Sequence, residues 1–182
     1  MLSRDDALKL VKQHVSNRNL IKHMIAVEAV MRVLARHFKQ DEEVWGLAGL
    51  LHDLDYAETV DDFERHGFRT AEILSEEDLP EEILNAIRSH PGHLPRETLI
   101  EKALYAVDPL TGLIVAAALM HPKKKLAALD VDFVLRRFKE KRFAAGADRD
   151  QIRSSSEFGL ELEEFLDLGL KGMSQVADEL GL

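Results

Sequence analysis

An all-α fold is predicted by three features of this 182-residue sequence. Apolar residues recur at three- and four-residue spacings along most of the chain, capping residues stand at the starts of those stretches, and no alternating β-branched run reads as a strand. The first helix is expected around Leu8, Val11 and Val15. Ser3 is its N-cap, and Asp5 and Asp6 sit where carboxylates meet the positive end of the helix dipole. In the second, Leu20, Met24, Val27, Val30, Met31 and Leu34 form one stripe, with His23 beside it and facing inward. A third runs from Asp41, as N-cap, through Val44, Leu47, Ala48 and Leu51, and carries His52 and Asp53 at its C-terminal end. The acidic stretch from Tyr56 to Phe63 reads as a loop across the mouth of whatever those residues form. Glu64 to Leu74 is helical again, and a helix opening at Pro80 ends near His90-Pro91-Gly92. Thr98 to about Met120 is the longest apolar-periodic segment, stopped by Pro122, and two further helices are expected near 131–141 and 157–180. Ala144 to Gln151 is the expected mobile linker. There is no internal repeat, so one domain over 1–182 is the economical reading, with a C-terminal helical extension over about 121–182.

With 46 % apolar and 31 % charged residues the chain has a globular balance. It contains no cysteine, so any metal must be held by imidazole and carboxylate. The N-terminus carries charges at positions 4, 5, 6, 9 and 12, unlike a signal peptide, and the most apolar run, Gly112 to Met120, is too short to span a bilayer. A soluble cytoplasmic protein is therefore expected, with no membrane partner. The net charge of −9 argues against general nucleic-acid binding. Residues 121–142 run against that trend with a local balance of +5, which reads as a solvated helix face or as a basic rim for an anionic substrate. Leu160, Leu162, Phe165, Leu166, Leu168 and Leu170 suit closure of the core as well as a dimer contact, leaving monomer and homodimer both open.

Of the eight histidines, His14, His37 and His121 read as surface residues. His23, His52, His66 and His90 differ, because each lies on a buried helix side or at a helix end. Asp108 sits in an otherwise apolar helix among Ala106, Val107, Leu110, Leu113 and Ile114. A buried lone aspartate is costly unless paired or ligating a cation. Imidazole and carboxylate without thiolate suit Mn, Fe, Co, Ni or Zn. With Asp53 these residues make six ligands, more than one catalytic ion with open positions needs and enough for two ions sharing a carboxylate.

The order His23 … His52-Asp53 … Asp108, led in by Gly49-Leu50-Leu51, resembles the defining pattern of the HD superfamily of metal-dependent phosphohydrolases. His66-Gly67 and Ile87-Arg88-Ser89-His90 resemble the additional pair of its binuclear members, and the likeness covers a core of about 20–112. The resemblance implies an HD-domain helical bundle that binds two divalent ions and hydrolyses a small phosphoester or nucleotide. In it Asp53, the catalytic residue, bridges the ions, His23, His52 and Asp108 complete one shell, and His66 and His90 hold the second ion. The same six-residue set also resembles the mixed-valent di-iron oxygenases of the superfamily. A non-catalytic signalling domain is a third reading, weakened by the presence of all six ligands. The chain departs from the pattern at Asp55, where the family's glycine is common, and at Tyr56, where several nucleotidases place a glutamate. Asp55 and Glu58 are read as carboxylates on a solvated loop, with acid or ligand-supporting roles as the alternative. For the anionic phosphorylated substrate, Lys102, Lys141, Arg142 and His93 are the candidate binding residues.

Overall fold

The computed structural model describes all 182 residues and contains eleven α-helices, three short 3₁₀ turns and no strand. The helices are α1 (Arg4–His14), α2 (Arg18–Phe38), α3 (Glu42–Leu51), α4 (Tyr56–Thr59), α5 (Phe68–Ile73), α6 (Glu81–Ser89), α7 (Leu99–Met120), α8 (Val131–Lys139), α9 (Arg149–Arg153), α10 (Leu162–Gln175) and α11 (Ala177–Leu180). Their starts follow the local chemistry. The Ser3 hydroxyl accepts from the Asp6 amide, Asn17 from Asn19 and Leu20, and Asp41 from Glu43 and Val44, while Thr98 and Glu101 form a capping box.

Helix α2 is the axis of the bundle. It packs against α3, α7 and α10, and a run from Met24 to Met31 is buried without interruption. Gly49 permits the close approach of α3, since a Cβ there would lie 2.9 Å from the backbone of Glu28. That pairing sets His23 on α2 beside His52 at the end of α3. Glu28, only 2 % exposed, accepts from Arg4 at 2.7 Å and Arg32 at 3.0 Å, and Arg32 forks onto Glu43 at 2.7 and 3.0 Å. A charge in the middle of an apolar run is thereby paired and ties α1, α2 and α3 together.

Helix α7 crosses against α2, α6, α8, α9 and α10. The apolar run Gly112–Met120, read alone as too short to span a bilayer, is part of this 22-residue helix, which by length and composition is long enough. More than half of its most apolar window is buried within the bundle. Pro109 lies inside α7 and has no N–H, so the Tyr105 carbonyl loses its helical donor; the Gln151 side-chain amide supplies one at 3.0 Å.

Two stretches expected as loops are corrected. Tyr56 to Phe63 is not an open loop but holds helix α4 and the start of a 3₁₀ turn. Ala144 to Gln151 is not a free linker. Arg149 donates to the carbonyls of Phe138 at 3.1 Å, Ala144 at 2.9 Å and Ala147 at 2.6 Å, with further bonds to Glu140 and Phe143, and it begins α9. One guanidinium fork winds the segment around itself, a role the sequence pattern does not announce. Arg149→Ala is expected to cost about 1–3 kcal/mol and to open new cleavage sites between residues 139 and 148 under limited proteolysis. Arg149→Lys should not restore protection, because one ammonium cannot reproduce the fork.

Candidate metal centre

The six predicted ligands arrive from five stretches of chain and meet around Asp53. His23 lies in the first half of α2, His52 and His90 are the C-cap residues of α3 and α6, His66 precedes α5, and Asp108 lies midway along α7. Asp53 is 4 % exposed. Its Oδ2 faces His52 Nε2 at 3.4 Å and His23 Nε2 at 3.6 Å, while its Oδ1 faces His66 Nε2 at 3.3 Å and His90 Nε2 at 3.5 Å. Asp108 Oδ1 stands 3.0 Å from His23 Nε2 and 3.8 Å from His52 Nε2. Two groups, His23–His52–Asp108 and His52–Asp53–His90, have ligand atoms within 4.8 Å of one another. His66 joins the second through a 3.2 Å approach of its Nε2 to that of His90.

Each imidazole is oriented by an oxygen on its other nitrogen. His52 Nδ1 lies 2.8 Å from the Gly49 carbonyl and His90 Nδ1 lies 2.6 Å from the Ile87 carbonyl. The Ile87 carbonyl is free for this because residue 91 is proline and lacks the amide that a helix would offer. His66 Nδ1 donates to Asp55 Oδ1 at 2.8 Å. His23 Nδ1 is 3.0 Å from Thr111 Oγ1, whose own proton goes to the Asp108 carbonyl, so the hydroxyl accepts from the ring. With every Nδ1 proton assigned to a fixed acceptor, every Nε2 is left to bind a second proton or a cation. His52 Nε2 is buried with no hydrogen-bond partner, and all four Nε2 atoms point toward Asp53. That donor set fits a divalent ion.

The electrostatics follow from this crowding. Burial pushes the His52 imidazole down, but the charges of Asp53 and Asp108 carry it well above its ordinary value. His66 is likewise depressed by burial yet raised to about 9 by Asp53 and Asp55. Burial keeps His90 low, with positive neighbours adding to the effect against Asp53. Asp53 and Asp108 resist burial and are held below the usual carboxylate range, Asp53 by His52, His66 and His90 and Asp108 by His23 and His52. At neutral pH the metal-free cluster therefore holds protons on His52 and His66 where ions would sit.

A cavity of about 530 Å³ opens over the cluster. The His90 side chain on its inner wall is 1 % exposed, and its open edge is His23 and Asp108 at 23 and 30 %. Tyr56 and Phe63 stand at the mouth, and Asn17, Asn19 and Gln151 add neutral amides that sequence reasoning did not single out. No lysine or arginine lines it. Lys141 lines a neighbouring depression that shares Gly146 with this cavity, Arg142 is exposed, and Lys102 lies on α7 away from the opening. His93 is also outside; its Nε2 bonds the Phe63 carbonyl at 2.8 Å and its ring stacks on Phe68. The solvated-loop reading of Asp55 is overturned: the residue is fully buried, and its φ of −93° needs no glycine. Glu58 does remain on the surface, bonded to Arg69.

A family model for the HD domain covers residues 20–118, slightly over half of the chain. Ribonuclease Y of Lactobacillus acidophilus is 29 % identical over 102 residues, 56 % of this chain and 19 % of that protein. Ribonuclease Y of Sulfurovum sp. is 32 % identical over 94 residues, 52 % of this chain and 18 % of that one. The chain thus spans about a fifth of the length of these curated relatives. No solved structure matches it. With the matched segment enclosing the His23, His52-Asp53 and Asp108 cluster, the chain belongs to the HD domain family, a superfamily of metal-dependent phosphohydrolases.

Proposed function

We propose that the protein hydrolyses a small phosphoester with two divalent transition-metal ions bridged by Asp53. The observation that carries this reading is the convergence of four imidazole Nε2 atoms on the two oxygens of one buried carboxylate, two on each oxygen. His23, His52 and Asp108 would complete the shell of one ion, and His66 and His90 that of the other. Such a pair supplies Lewis acidity toward the phosphoryl oxygens and a nucleophile at neutral pH.

The chain's own groups account for the rest. The substrate enters over the His23–Asp108 edge, because the His52–His90 side is sealed by the core. Asn17, Asn19 and Gln151 orient the phosphoryl group or its ester by hydrogen bonding. The Asn17 oxygen already caps α2, so its amide NH₂ is the part offered. Tyr56 and Phe63 give the mouth an apolar rim that limits water around the reacting group. These donors are neutral, so the cations that balance phosphate charge are the metal ions rather than Lys102, Lys141 or Arg142. The relatives named as ribonucleases make RNA a required member of any substrate panel, beside nucleotides and aryl mono- and diesters.

The direct test is metal analysis combined with that panel, using protein loaded with Mn²⁺ or Co²⁺. Two bound ions and oxygen-independent hydrolysis are expected. Asp53→Asn should lower kcat at least about 100-fold and reduce the ion count. Two irons with a mixed-valence EPR signal, and no hydrolysis, would instead identify the oxygenase chemistry and sink this reading. Asn19→Ala should raise KM several-fold with the ion count intact. Metal uptake at pH 7 must expel the protons on His52 and His66. Its apparent affinity should therefore climb from pH 6 through pH 9, where His66 is about half deprotonated, and calorimetry in buffers of differing ionisation heat should record net proton release.

A further inference from the structure

Among the four imidazoles only His66 is backed by a carboxylate. His52 and His90 rest on backbone carbonyls and His23 on a hydroxyl. The carboxylate is Asp55, at the position where the resembled pattern carries glycine, and none of its surface is exposed. Both of its oxygens are committed around His66. Oδ1 accepts from His66 Nδ1 at 2.8 Å, and Oδ2 accepts from the amides of Gly67 at 2.8 Å and Thr70 at 3.1 Å. Thr70 returns a contact by accepting from the Asp55 amide at 3.1 Å. The arrangement does two things at once. It supplies from a distance the cap that Gly67, having no side chain, cannot give to α5, and it fixes the backbone immediately after His66. Gly67 is itself constrained, at φ 79° with the Ile87 carbonyl 2.6 Å from where a Cβ would stand, so the turn cannot relax toward a bulkier residue. That same Ile87 carbonyl orients His90, so the two histidines of this half share one support.

We propose that Asp55 is a positioning residue that gives this chain its second metal position. It holds the His66 ring in the tautomer and angle that aim Nε2 at Asp53 Oδ1. The inference rests on the two-metal reading above. It assigns to Asp55 the His66–His90 half only, and leaves the His23–His52–Asp108 half independent of it.

The test is stepwise Mn²⁺ or Co²⁺ binding followed by calorimetry and elemental analysis on folded protein. Wild type should take up two ions. Asp55→Asn, which retains one acceptor oxygen and loses the other, should keep the first ion at unchanged affinity and weaken the second by about 10–100-fold, matching His66→Ala in ion count. Thr70→Val, which removes a contact to the Asp55 backbone but not the bond to His66, should keep both ions. Two ions at wild-type affinity in Asp55→Asn, or equal weakening of both, overturns the proposal. No ion in wild type overturns the metal centre itself, and the proposal with it. Should Asp55→Asn not fold, the metal-free wild-type protein decides by NMR. A His66 Nδ1 proton clearly further downfield than that of His52 supports the carboxylate bond, and one no further downfield overturns it.

Discussion

A carboxylate buried beneath four imidazoles is the constraint on which the rest of this bundle depends. Moving Asp53 out of water costs several kcal/mol unless positive charge or hydrogen bonds replace the lost hydration. Without metal, His52 and His66 meet that need by holding protons. Each partner comes from a different element, so each must be delivered by packing. The approach of α2 to α3 at Gly49 brings His23 to His52, and α7, wedged against α2 and α6, brings Asp108 to both. The hydrophobic core and the polar centre are therefore two consequences of the same helix positions.

The sequence exposes the parts of this design that have a period or an order. Helical spacing reveals α2, α3 and α7, and the succession His23, His52-Asp53, Asp108 points to the centre, because both signals lie along the chain. What stays hidden depends on contacts between distant segments. Asp55 and Glu58 look alike in sequence, acidic residues in one polar stretch. Only the return of Gly67 and Thr70 over the first makes it a buried support, while the second stays on the surface with Arg69. Glu28 falls within the inward run of α2 but gives no sign of the two arginines that neutralise it. The Ala-Gly-rich segment before Arg149 has the composition of a linker, and one side chain turns it into a wound, hydrogen-bonded element. Asn17, Asn19 and Gln151 are ordinary polar residues until the fold places them around one opening.

Two prolines do related work in this structure. Each removes an amide that a helix would use and leaves a carbonyl to be claimed from elsewhere. After α6, Pro91 leaves the Ile87 carbonyl to the His90 ring, and within α7, Pro109 leaves the Tyr105 carbonyl to Gln151. The first vacancy orients a ligand. The second joins α9 to the helix turn that carries Asp108, so the C-terminal third of the chain is attached to the centre through a side-chain amide as well as through the core.

The acceptors behind the imidazoles also divide the centre by how it can change over evolutionary time. His52 and His90 are oriented by main-chain carbonyls, which a point mutation cannot delete while the helices persist. His23 and His66 are oriented by Thr111 and Asp55, side chains that a single base change can replace. Half of the centre is thus inherited with the backbone, and the other half is open to drift. Divergence within such a lineage has a direction built into it: ligand strength and ion preference can be retuned at two of the rings, while the remaining two stay the same for as long as the fold does.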